Sequence, residues 1–103
     1  MSVEGALRAA IATRTPVGLS YDGDREGLRT VHPQVLYLVA TGRPCVDGYQ
    51  VAGPTSSGNP IPGWRHFDLD KIKRLVILEG TFEPAPGLNL GSARYARGVL
   101  AHV

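Results

Sequence analysis

The hydrophobic positions of this chain change period near residue 16. Before that point Leu7, Ala10, Ile11 and Arg14 recur at helical spacing, and residues 3–14 are expected to form a helix whose buried stripe is Leu7 and Ile11. Ser2 stands where a cap belongs, and Glu4 suits the positive end of the helix dipole. Pro16 ends the helix by disfavouring helical geometry at Thr15. Beyond it the period is two. Val17, Leu19 and Tyr21 alternate with Gly18 and Ser20, and "DGDREG" follows as a turn whose strongest signal is Asp22-Gly23. "LRTVHPQVLYLVA" reads as a long strand that must bend or sit on an edge at Pro33, which lacks a donor. "VDGYQVAG" is a third strand, with Gly48 a bulge or a point of close approach. "WRHFDL" is a fourth, "DKI" a tight turn and "RLVILEG" a fifth.

One helix followed by five short strands predicts a mainly β fold: a small, strongly bent antiparallel barrel, Sm-like or Src-homology-3-like, with the helix packed across one end. In the tail, Ala93, Ala96, Val99, Leu100 and Val103 fall at helical spacing behind Ser92, so a short C-terminal helix is expected there, weakened at Gly98 by about 1 kcal/mol relative to Ala. The organisation is a single domain over 1–103, with a core at 3–83 and a basic extension at 84–103. The loop 53–63, rich in Gly, Pro and Ser, is expected to be the most mobile internal segment.

Composition narrows the chemistry. Eleven Lys and Arg against nine Asp and Glu give a net charge of +2, which permits an anionic partner without demanding one. The single cysteine, Cys45, rules out an intramolecular disulfide and a Cys-rich zinc site. The three histidines, His32, His66 and His102, show no metal-ligand spacing on one element, so no metal and no cofactor is expected. The N-terminal stretch is not patterned as a signal peptide and no apolar run approaches membrane length, so the expected location is the cytoplasm. The Gly-rich loop is not followed by Gly-Lys-Ser/Thr, and a phosphate-loop reading fails.

The densest chemistry lies in "GWRHFDLDKI", residues 63–72. Period two puts Arg65, Phe67 and Leu69 on one face and Trp64, His66 and Asp68 on the other. Arg65 then sits near a strand end on the inward face. It serves there either as a strut paired with an acid or as a fork for phosphate or carboxylate, and the residues alone leave both open. His66 and Asp68 have the spacing of a hydrogen-bonded pair, but no motif places a nucleophile beside them, so no catalytic residue is assigned. Tyr49 is a core tyrosine or a stacking platform, with Tyr21 and Trp64 similar cases, and His32 sits by the bend at Pro33.

From Leu7 to Phe82 the chain resembles the WYL domain, a small Sm-like barrel of bacterial transcription regulators. "ALRAAIATRTPVGLSY" is similar to that family's opening helix and first strand, "RTVHPQVL" to its Arg-x-x-x-Pro strand, "DGYQVAG" to its Trp-Tyr-Leu strand, and "WRHFDLDKI" to its Arg-x-Phe-Arg-Leu-Asp-Arg-Ile segment. The signature triplet is here Gly48-Tyr49-Gln50, the second arginine of the last motif is Asp68, and the third is Lys71. The resemblance implies a basic pocket that senses a nucleotide-like ligand or single-stranded nucleic acid. It makes Arg65 and Arg29 the expected phosphate contacts, with Tyr21, Tyr49, Trp64, His66 and His32 lining the pocket. The expected protein is a stand-alone, non-enzymatic sensor, a monomer or homodimer that acts through a separate regulator protein and no membrane. A ring-forming Sm-like RNA-binding or structural protein is the alternative, ahead of a small enzyme using His66 and Asp68.

Overall fold

The computed structural model describes residues 2–55 and 58–103. Helix α1, Val3–Thr13, is capped by Ser2, whose side chain accepts from the Gly5 amide. It ends at Arg14, whose left-handed backbone (φ 51°) turns its N–H back to the Ala10 and Ile11 carbonyls. Ala6, Leu7, Ala10 and Ile11 are buried, and the helix lies against β2 and β5 and against a sixth strand at the C-terminus.

The strands are β1 (Val17–Tyr21), β2 (Arg29–Leu38), β3 (Pro44–Ala52), β4 (Gly63–Asp68), β5 (Ile72–Ile77) and β6 (Val99–His102). All pairings are antiparallel, in the order β4-β3-β2-β1-β5, with β6 also on β2. The architecture is the mainly β one expected from the alternation, with a sixth strand added. β2 is the spine. One edge pairs with β3 along its length, while the other is shared: Arg29, Thr30 and Val31 face β1, and Val35, Leu36 and Tyr37 face β6.

The change of partner falls at Pro33, where the ladder loses a donor and the register to β3 shifts. Gln34, fully buried, secures the bend: its side chain donates to the His32 carbonyl and accepts from the Ala85 amide, and its own carbonyl takes the Val103 amide. Gly48 lies opposite Pro33, and a Cβ there would meet Val31 Cγ1 at 2.4 Å, so the close approach expected of that glycine is real. A short 3-10 turn, Leu69–Lys71, carries the chain from β4 to β5 and so joins the two ends of the sheet. The Asp68 amide donates to the Tyr21 hydroxyl at 2.9 Å across that gap.

The tail departs from the expected helix. Ser92 does cap a turn, but only the 3-10 turn Ala93–Tyr95. Gly98, at φ 130°, then redirects the chain into β6. A helix of this length has little stability of its own, whereas the second half of β2 offers unpaired backbone groups that β6 satisfies. Leu100, Ala101 and Val103 pack on the main core around Leu7, Val31, Leu36 and Phe67. A second, smaller core of Val35, Tyr37, Cys45 and Tyr95 lies under the tail. Burial pushes the Cys45 thiol up, with the nearby Asp68 adding to the effect, which makes this cysteine a packing residue.

Candidate functional site

Above the smaller core the tail and the sheet enclose a cleft of 360 Å³. β3 contributes Asp47, β4 contributes Trp64, Arg65 and His66, and the tail contributes Gly87, Asn89, Ser92, Arg94 and Tyr95.

Asp47 organises the cleft floor. It is 3% exposed, and a buried carboxylate must be paired and hydrogen-bonded. Oδ1 accepts from the Tyr37 hydroxyl (2.9 Å), His66 Nδ1 (3.2 Å) and Arg94 Nη2 (3.2 Å), while Oδ2 accepts from the Tyr95 hydroxyl (2.8 Å) and Arg94 Nε (2.9 Å). Burial pushes the carboxyl up, but the hydrogen bonds of His66, Tyr95 and Tyr37 and the charge of Arg94 outweigh it and hold Asp47 below the usual carboxylate range. The two phenols move the other way. Desolvation and Asp47 raise Tyr95 to about 12, and the same forces raise Tyr37. Tyr37 gives its one hydrogen to Asp47, so His66 Nδ1, which faces both oxygens, must carry a hydrogen of its own. The His66 side chain is 47% exposed and lines the cleft.

Arg65 stands at the opposite end. Its Nη1 donates to the Trp64 carbonyl at 2.9 Å, and Nη2 to the Asn59 and Pro60 carbonyls at 3.1 Å each. Nε is buried without a partner. Gly63 permits this fold-back, because a Cβ there would lie 2.8 Å from the Pro60 oxygen and 3.0 Å from Arg65 Nη1. Of the two roles open to Arg65, part of the strut is therefore real, but its partners are carbonyls. Among the described residues no carboxylate answers its charge, whereas Arg94 is matched by Asp47. Among the described residues Arg65 is thus the cleft arginine without a paired acid. Trp64 walls it, with Nε1 donating to the Pro86 carbonyl at 2.8 Å.

The expected site residues divide. Trp64, Arg65 and His66 come together in the cleft, and Tyr49 backs it, edge-on to Trp64 at 5.9 Å. Arg29 does not join them. It is 2% exposed, its Nε and Nη2 grip Asp24 at 2.9 and 2.8 Å, and its Nη1 reaches Gln50, so the expectation of a phosphate contact there is corrected to a sealed structural pair. Tyr21 stacks edge-on to Phe67 beside Arg29, with its hydroxyl taken by Asp68. His32 lies flat on Phe82 at 4.8 Å, and burial lowers its pKa. The pairing of His66 with Asp68 is also corrected. Asp68 caps the 3-10 turn and holds Arg43 at 2.8 Å, and the carboxylate of His66 is Asp47. The charge reversal at Asp68 therefore acts on Arg43 and leaves the cleft alone.

Asp47, Tyr37, Asn89, Ser92, Arg94 and Tyr95 did not emerge from the sequence pattern. A clue was present at Asp47, an acid at an inward position of an apolar strand, which requires buried partners. Of the expected loop, Ser56 and Ser57 lie outside the described residues, while its Asn59–Pro60 end is held by Arg65. Among the described residues no cluster of three His, Cys, Asp or Glu could hold a metal ion, and no helix is long and apolar enough to cross a membrane.

Fold and cleft together define a small bent β module with a ligand-sized recess between its fourth strand and its tail. No protein-family model and no curated protein matches the chain. Among solved structures, Proteasome accessory factor B/C (PafBC) of Arthrobacter aurescens is similar, with a TM-score of 0.66 and 23% identity over 84% of this chain. The match spans 13% of that protein's chain, and the likeness is one of fold.

Proposed function

We propose that this chain is a WYL-like regulatory module that binds an anion in the cleft between β4 and the tail and performs no chemistry on it. The ligand is a small anionic molecule, a nucleotide or a short single strand. The observation that carries this reading is the charge of Arg65, unmatched by any acid among the described residues and set beside an indole wall in an open cleft. Two further points support it: the four ordered motifs that resemble the WYL domain, and the fold shared with a stretch of PafBC. Binding is favoured over catalysis because Ser92 accepts from the Arg94 amide and no hydrogen bond joins it to His66, so no activated nucleophile is assembled.

Trp64 is the only tryptophan, and it reports on the cleft directly. Titration with nucleotides, short single strands and small organic anions should change its fluorescence saturably, and more weakly as salt rises for contacts that are mainly electrostatic. A signal that stays flat for every anion class would refute the proposal.

A further inference from the structure

Resting on that reading, we infer that the cleft selects a small monocarboxylate with a flat apolar body, and that Asn89 and Ser92 of the tail are the residues that read its carboxylate.

Charge sets the first limit. Arg94 is spent on Asp47, and among the described residues Arg65 is the cleft arginine left without a paired acid. A second negative charge on the ligand would find no second unpaired arginine there. A phosphomonoester carries about −1.5 to −2 at neutral pH, whereas a carboxylate carries a single charge.

Geometry sets the second. Arg65 gives three hydrogen bonds to carbonyls of its own loop, so it supplies positive potential without an open fork for two oxygens. The direct donors must come from the facing wall. Asn89 accepts the Gly91 amide at 3.1 Å through Oδ1, which fixes the side chain and leaves its amide hydrogens for a ligand. Ser92 accepts the Arg94 amide at 3.4 Å, which leaves its O–H to donate. Both residues line the cleft. These free donors put the carboxylate on the Asn89–Ser92 side.

The rest of the surface suits an apolar body. Two flat rings, Trp64 and Tyr95, belong to the lining, and the Trp64 ring is held in place by the Pro86 carbonyl. At 360 Å³ the cleft is at the small end of ligand pockets, which run from about 300 to 1,000 Å³.

The test uses 3-phenylpropanoate as probe, read by Trp64 fluorescence and by the side-chain amide signals of Asn89 in a nitrogen-proton correlation spectrum. The expected result is saturable binding that is lost with 3-phenylpropanamide, which lacks the charge, and weaker by about tenfold or more with phenyl phosphate. Ser92→Ala should weaken binding about tenfold, in line with a hydrogen bond to a charged group. Asn89→Asp keeps the acceptor for Gly91 while removing the donors and adding a negative charge. It should abolish binding with an unchanged melting temperature. Phenyl phosphate binding tighter than the carboxylate, or full affinity in both variants, overturns the inference. If nucleotides or single strands perturb Trp64 while carboxylates do not, this inference fails and the anion-binding reading stands; if no anion does, both fall.

Discussion

The Arg29–Asp24 and Arg94–Asp47 pairs have nearly the same chemistry and opposite consequence. In one, the side chains of Arg29 and Asp24 are 3% and 5% exposed, the guanidinium lies 5.6 and 5.8 Å from the rings of Phe67 and Tyr21, and Gln50 takes its remaining reach. In the other, the Asp47 side chain is as deeply buried at 5%, but that of Arg94 is 51% exposed and that of His66 47%. The first pair is closed on both sides and ties the β1–β2 turn to the sheet. The second is closed below by two tyrosines and open above, so its polar groups form the floor of a cleft. The difference lies in Arg94, which keeps a face to the cleft where Arg29 keeps none.

Substitutions and pH series press on this contrast. Arg29→Ala should cost the most, about 3–5 kcal/mol, because it strips the counter-ion from the Asp24 carboxylate, whose side chain is 5% exposed. Urea denaturation measures it, and a loss below about 1 kcal/mol would mean that the pair is not sealed. Asp47→Ala should cost less, about 1–3 kcal/mol, since Arg94 and His66 can turn to water while only the Tyr37 and Tyr95 hydroxyls lose a buried acceptor. A cost equal to that of Arg29→Ala would erase the distinction between the two networks.

Arg65→Ala comes third for stability, at about 1 kcal/mol for loop carbonyls that water can solvate instead, but it should remove anion binding. Arg65→Lys keeps the charge without the three carbonyl bonds, and it should retain part of the binding while loosening the Asn59–Pro60 turn. A variant that melts far below the parent yet still binds would make Arg65 a strut alone.

The smallest expected effects come from pH. Asp24 is held below the usual range by its Arg29 hydrogen bond, working against desolvation, and Asp47 is held down by its donors. Both folded pKa values are depressed. Each group therefore contributes stability above the unfolded value of about 3.9, and the contribution is lost as pH falls through the folded value. Asp47→Asn should flatten part of that acid limb. His32 has a folded pKa lowered by burial, so the unfolded chain takes up its proton first, and stability should begin to fall as pH drops below about 6.5. His32→Phe, which preserves the stack on Phe82, should remove that shallow slope in denaturation midpoints measured between pH 7.5 and 5.

The two pairs also show what a sequence makes legible. Asp24 lies five residues from Arg29 in a recognisable turn, so a local partner for that arginine could have been read directly. Asp47 and Arg94 are 47 residues apart, and only the tertiary fold joins them. The period of the chain was sufficient for α1, the run of strands, the bend at Pro33 and the tight fit at Gly48. It failed at β6, because four residues of strand do not outvote helical spacing when the deciding partner, the far half of β2, is remote in sequence. With the tail misread as a helix, one wall of the cleft was missing, and Asn89, Ser92, Arg94 and Tyr95 had no place to go. The dense run of polar types in residues 63–72 brought Trp64, Arg65 and His66 into view, and the resemblance to the WYL domain tipped Arg65 toward a ligand. It could not show that Gln50, in place of the signature leucine, is fully buried and engaged by Arg29.

The segment 85–95 is pinned at one end by the Gln34 side chain on Ala85 and at the other by Tyr95 on Asp47, with β6 beyond. Between these anchors Asn89 and Ser92 touch the cleft and carry no share of the main core. Mutations at these positions can therefore change what the cleft prefers at little cost to folding. A lineage of such modules could diversify its ligands by substitutions confined to a few positions of this wall, with the sheet, the Pro33 bend and the sealed Arg29 pair inherited unchanged.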